Sequence, residues 1–139
     1  MPVVTRTLEC KTRGFTDMLD ITREVENIVR ESGIQNGIVT IFVPGSTGGL
    51  TTIEYEPGLK KDLPEILEQI APMKRKYHHD ATWHDGNGYA HIRAALIGPS
   101  LTVPFSNQTL HLGTWQQIVF LDFDNRPRQR QLVLQILGD

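Results

Sequence analysis

Four of the five histidines in this chain fall within one short stretch, Tyr77-His78-His79-Asp80-Ala81-Thr82-Trp83-His84-Asp85-Gly86-Asn87-Gly88-Tyr89-Ala90-His91. With Asp80, Asp85 and Asn87 among them, the stretch carries a density of nitrogen and oxygen donors that a packed core does not need. Imidazole titrates nearest to neutrality of all side chains and is the commonest transition-metal ligand. Two chemistries therefore fit: proton transfer centred on His91, or a divalent ion held by His79, His84, His91 and Asp80. The spacing His79-x4-His84-x6-His91 matches no zinc-finger or zincin pattern, and loop histidines that only hydrogen-bond account for it equally well. His78 and the isolated His111 read as solvated.

Other residues along the chain have types suited to a ligand. Pro44-Gly45-Ser46-Thr47-Gly48-Gly49 combines glycines, whose backbone N–H groups can converge, with the hydroxyls of Ser46 and Thr47. Such a loop suits a phosphate oxygen. It is not a Walker A loop, and a plain glycine-rich connection is the competing reading. Glu54 follows in a strand-like run and has the chemistry of a general base or a hard-metal ligand. Trp115 and Gln116 offer an indole face and an amide for a heteroaromatic ring, against the plainer role of a core tryptophan. Arg126, Arg128 and Arg130 alternate, which suits phosphate recognition or a solvated strand edge.

These groups must be positioned by regular elements. Ile21, Val25, Ile28 and Val29 repeat with helical spacing, with Thr16 or Asp17 as the cap and Gly33 as the stop. Leu59, Leu63, Ile66, Leu67 and Ile70 form a second helical stripe, which places Asp62 at its N-cap, Pro64 in its first turn and Pro72 at its end. Gly37–Val43 and Gln117–Phe123 are nearly continuous apolar runs, as expected of strands covered on both faces. Val3–Lys11, Leu50–Tyr55, Thr109–Leu112 and Gln129–Leu137 also read as strands. Ala90–Ile97 and Leu101–Phe105 flank Gly98-Pro99-Ser100 and predict a hairpin, with His91 and Arg93 on one face. The expected fold is therefore α+β: a compact antiparallel β-sandwich or bent sheet with two helices packed outside. A neighbouring subunit can cover the remaining apolar sheet face.

At 139 residues, one domain spanning residues 1–139 is expected, long enough for a substantial core. Fourteen basic against sixteen acidic residues leave no electrostatic case for nucleic acid. The lone Cys10 excludes an intrachain disulfide and reads as a small apolar core residue. The start shows no secretory pattern and no run approaches membrane length, so a cytoplasmic protein without membrane partners is expected.

Taken in order, several motifs resemble a known family. They are the loop leading into Leu50-Thr51-x-x-Glu54, then Lys61-Asp62-Leu63, Tyr77-His78-His79-Asp80, Asn87-x-x-x-His91-Ile92-Arg93, Leu96-x-Gly98-x-Ser100, Pro104, Gly113-Thr114-Trp115-Gln116 and Arg130…Gly138. Their order is similar to that of the YjbQ-like family, named after a secondary thiamine-phosphate synthase activity. The resemblance runs nearly end to end. It implies a β-rich fold with outer helices, assembled as a homotrimer, and a phosphate-bearing small substrate. In that setting His91, Glu54 and Arg93 are the expected catalytic groups. Ser46, Thr47, Asn87, Trp115, Gln116 and Arg128 are expected to bind substrate, and a divalent ion (Mg²⁺ or Zn²⁺) is the expected cofactor. Many relatives open the first motif with His-Thr-Ser/Thr-Ala, whereas Gly45 occupies that histidine's place here. A metal-binding hydrolase and a non-catalytic trimeric ligand-binding protein are the alternatives.

Overall fold

The computed structural model describes residues 1–139 and contains eight strands and four helices. In order they are β1 (Val3–Thr12), β2 (Asp17–Asp20), α1 (Thr22–Ser32), β3 (Gly37–Phe42), β4 (Gly48–Ile53) and α2 (Pro57–Ile70). Then follow α3 (His78–Trp83), α4 (Gly88–Ile97), β5 (Ser100–Ser106), β6 (Thr109–Leu110), β7 (Gln117–Asp122) and β8 (Arg128–Gly138). Five strands form one sheet in the order β1-β8-β3-β5-β6, and three form a second in the order β2-β7-β4. Every pairing is antiparallel. No helix is long and apolar enough to cross a membrane.

Strand β7 explains the layering. Its side chains alternate between two cores, as a strand with period two requires. Ile118 and Phe120 enter the larger core, with Val25 and Val29 of α1, Val39 and Ile41 of β3, and Leu132, Leu134 and Ile136 of β8. Val119 and Leu121, followed by Phe123, enter the smaller one, with Leu67 of α2 and Tyr89, Ala90 and Ala94 of α4. The continuous apolar run of this strand thus reflects cover on both faces. Buried Cys10 joins the larger core, and burial pushes its thiol up to about 11.

Several expectations are corrected. Ala90–Ile97 is helical, not half of a hairpin, and β5 pairs with β3 and β6 instead. The helix is set by tertiary packing: Tyr89, Ala90, Arg93 and Ala94 share its buried face, while Ile92 and Leu96 remain exposed. Helix α1 does not begin at Thr16 or Asp17, which lie before and within β2. Its N-cap is Ile21, and the Asp20 carboxylate accepts from the Thr22 N–H and hydroxyl. Gly33 ends α1 in the left-handed region as expected, at φ 79°. Helix α2 begins earlier than Asp62, because Glu56 caps it by accepting from Gly58 N and Leu59 N, with Pro57 as the first residue. Pro64 consequently lies inside the helix. Four helices replace the two expected, and β4 ends at Ile53, before Glu54.

Candidate functional site

Helix α4 places His91. Residues three and four positions on share its side of a helix, whereas a residue two positions on points about 200° away. His91 therefore lies with Ala94 and Ala95, and Arg93 faces the opposite side. Helix α4 approaches the glycine loop closely: a side-chain carbon at Gly49 would stand 2.8 Å from Ile97. Between them lies a cleft of about 260 Å³ lined by Gly45, Ser46, Gly48, His91, Ala94, Ala95 and Pro99. The N–H groups of Gly45, Ser46 and Thr47 donate no hydrogen bond within the chain.

On its other side His91 borders a cavity of about 470 Å³, with Tyr77, His78, His79 and Arg75 among its walls. Ile70 and Ile92 supply apolar surface, and no carboxylate lines it. Gly88 opens α4 against Tyr77, where an added side-chain carbon would come within 2.5 Å of the tyrosine Cβ. Tyr77 is held in turn by its hydroxyl donating to the Pro72 carbonyl at 2.7 Å. One histidine thus forms a shared wall between a backbone-lined cleft and a larger, partly apolar cavity.

The His79 and His91 rings pack with centroids 4.2 Å apart, tilted by 44°. His79 Nε2 is sealed from solvent without a hydrogen bond; Asp85 Oδ1, at 3.6 Å, is beyond bonding reach. Burial, and secondarily the neighbouring His79, hold the His91 pKa below the ordinary imidazole value. His91 is therefore neutral at neutral pH and able to accept a proton.

Beneath the loop lies a polar cluster in which Thr47 and Arg130 meet two carboxylates, Asp122 and Asp124, that were not among the sequence candidates. Asp122 shares the β7 face of Ile118 and Phe120, so its carboxylate enters the interior between the sheets. Arg130 meets it with two bonds, Nε to Oδ2 at 2.8 Å and Nη2 to Oδ1 at 2.9 Å. The Thr12 hydroxyl donates to Oδ2 at 2.6 Å, and the Asp124 N–H donates to Oδ1 at 3.1 Å. Burial alone would raise the Asp122 pKa, but these donors outweigh it and leave the carboxyl more acidic than usual. Arg130 Nη2 also donates to Thr47 Oγ1, which donates to Asp124 Oδ2 at 3.1 Å. The available signal was an aspartate inside an otherwise apolar strand, which needs a buried partner.

The remaining candidates are dispersed. Arg93 is buried with its donors engaged: Nε and Nη2 reach the Ala71 carbonyl, Nη1 reaches Thr16 Oγ1, and Nη2 reaches Glu68 Oε2 at 2.7 Å. Glu54 lies beyond β4 and lines neither of the cavities bordering His91. Thr47 points inward to Arg130 and Asp124, leaving Ser46 as the loop hydroxyl at the cleft. Arg128 Nη1 pairs with Asp124 Oδ2 at 2.9 Å. Buried Asn87 accepts from the Asn125 N–H. Trp115 is 73 % exposed, and Gln116 lines a separate groove with His111. Of the metal candidates, Asp80 accepts from the N–H groups of Tyr77 and Gly88, and exposed His84 ends α3 in the left-handed region. No group of three His, Cys, Asp or Glu side chains stands in metal-holding range in this structure.

The family model described as "UPF0047 protein YjbQ-like" matches residues 6–139. A UPF0047 protein of Methanothermobacter thermautotrophicus is 38 % identical over 138 residues, covering 99 % of this chain and 94 % of the relative. UPF0047 protein YugU of Bacillus subtilis is 38 % identical over 135 residues, with 96 % and 98 % covered. The crystal structure of a YbjQ-like protein of unknown function from Sulfolobus solfataricus superposes with a TM-score of 0.93 at 33 % identity, covering 99 % of each chain. A hypothetical protein from Aeropyrum pernix gives 0.91 at 32 % identity, covering 98 % of this chain and 99 % of that one. This chain belongs to the YjbQ-like UPF0047 family.

Proposed function

We propose that this chain is a small-molecule enzyme acting on a phosphate-bearing substrate, with the His91 imidazole as its acid–base group. The observation that carries the reading is His91's position as the common wall of two cavities, half-buried and neutral, beside a loop with free N–H donors. The phosphate would sit in the cleft on the Gly45–Thr47 backbone and the Ser46 hydroxyl. The organic portion would occupy the larger cavity against Tyr77 and Ile92, where Arg75 favours negative charge. A neutral imidazole between them can take a proton from the attacking group and return it to a leaving group. Arg93, its donors engaged, serves as a positioning residue for α4.

Thiamine phosphate formation, in which the proton-free ring nitrogen of a thiazole phosphate displaces diphosphate from a pyrimidine-methyl diphosphate, is the candidate reaction that the family label suggests; there the attack asks no base of His91, and the cleft would act by stabilising the charge on the leaving diphosphate. The test is turnover of these two substrates and of a panel of small phosphate esters, with and without Mg²⁺ or Zn²⁺. Turnover lost in His91→Ala and Ser46→Ala with folding retained supports the reading. Absence of both turnover and phosphate binding refutes it.

Assembly as a homotrimer is proposed as well, supported by the outer face of the five-stranded sheet. There Ile38 and Phe42 are 40 % and 43 % exposed, next to Val3 and Leu137. The neighbouring outward pairs Thr40–Gln135 and Thr40–Thr102 are uncharged. Sedimentation equilibrium giving a monomer mass would refute the assembly alone.

A further inference from the structure

We infer that the buried guanidinium of Arg130, reached through the gap that Gly45 leaves in the loop, is the anion contact of the cleft and takes an oxygen of the substrate's phosphoryl group. This inference rests on the reading of the cleft as a phosphate site and names the cation within it.

Arg130 is bonded within the chain through Nε and Nη2 only. Its side chain is 6 % exposed, and Asp122 grips the Nε/Nη2 edge of the guanidinium. Thr47 takes a further proton of Nη2. Nη1, at the remaining corner, has no hydrogen bond within the chain, yet it is not among the atoms sealed from solvent. Nη1 is therefore the one nitrogen of this largely buried cation left open to water or a ligand.

Gly45 lies beside that nitrogen, although Arg130 itself does not line the cleft. Gly45 lines the cleft with Ser46 and His91, and a side-chain carbon added to it would stand 3.3 Å from Arg130 Nη1. Its φ of +134° is accessible to glycine and strained for other residues, so the loop conformation itself keeps the gap open. The N–H groups of Gly45 and Ser46, which line the same cleft, donate no hydrogen bond within the chain, and no carboxylate lines the cleft. Asp122 and Asp124 lie along the opposite edge of the guanidinium, where they fix its plane. The ligand this geometry recognises is a tetrahedral oxyanion on a small molecule, met by one charged and several neutral donors.

The test follows the Arg130 side-chain nitrogen resonances of the full chain by NMR during titration with inorganic phosphate. The inference expects them to move together with the Ser46 amide. It also expects Gly45→Ala, which caps Nη1 without touching the Asp122 fork, to bind phosphate at least about tenfold more weakly, the loss typical of a charge-assisted bond. Movement of Ser46 and His91 signals with Arg130 unmoved overturns this inference and leaves the phosphate reading intact. No movement anywhere in the cleft overturns both. If Gly45→Ala does not fold, the Arg130 signals of the unaltered chain still decide.

Discussion

Replacing Asp122 by Asn tests the polar cluster that holds the glycine loop in place. Asn keeps the volume but turns an acceptor into an amide N–H₂ facing Arg130, a donor against a donor. Arg130 would then be a buried cation whose nearest carboxylate is Asp124, at 3.6 Å from Nη2. Breaking one side of a buried ion pair costs about 3–5 kcal/mol. A chain of this length gains about 0.3 kcal/mol per degree in unfolding entropy, so Tm should fall by about 10–17 °C at neutral pH. Circular dichroism melts of the two proteins across pH give the measurement. Because the Asp122 carboxyl is more acidic folded than unfolded, the unfolded chain takes up its proton first as pH falls. The contribution is therefore complete above the unfolded value of about 3.9 and is lost as pH drops through the folded one. The gap between the two melts should thus be widest at neutral pH and narrow in acid. A loss below about 1 kcal/mol, the range of a surface pair, or a gap that stays constant down to acid pH, would refute the assignment of Asp122 as the buried counter-charge.

Other substitutions separate support from chemistry. Arg93→Ala should lower stability by about 3 kcal/mol in urea unfolding, because the Ala71 carbonyl and Thr16 lose their donors. Turnover per folded molecule should survive that change; abolished turnover in folded protein would return Arg93 to the chemistry. Gly88→Ala should cost at least about 1–3 kcal/mol by overpacking Tyr77 and should also shift the His91 resonances, while an unshifted spectrum would contradict the close seat of α4. Trp115→Ala should leave melting and phosphate binding within error, since the indole is solvent-facing and lines neither cavity bordering His91.

Much of the scaffold was legible from periodicity. The apolar run of β7 announced cover on both faces, and the alternation in β8 announced one buried face, because period-two patterns depend on pleat geometry more than on distant contacts. Helix α4 was not legible. Its exposed Ile92 and Leu96 interrupt the helical stripe, and the adjacent Gly98-Pro99 resembles a hairpin turn, so only the smaller core shows which face is buried. That error put His91 and Arg93 side by side when the helix turns them apart. His91 and Ser46 were recognisable by chemical type. Arg130 was named with Arg126 and Arg128 for phosphate recognition, but its burial was not legible, because its partner Asp122 closes an apolar strand and the pairing depends on the stacking of two sheets.

The central claim is that His91 is a neutral base facing a phosphate-binding cleft. The most direct measurement is the pH titration of the His91 ring proton by NMR, with and without inorganic phosphate. A pKa below the ordinary histidine value of about 6.5 in the free protein, moving upward as phosphate binds beside the imidazole, is the predicted result. An ordinary pKa that does not respond to phosphate would contradict the account.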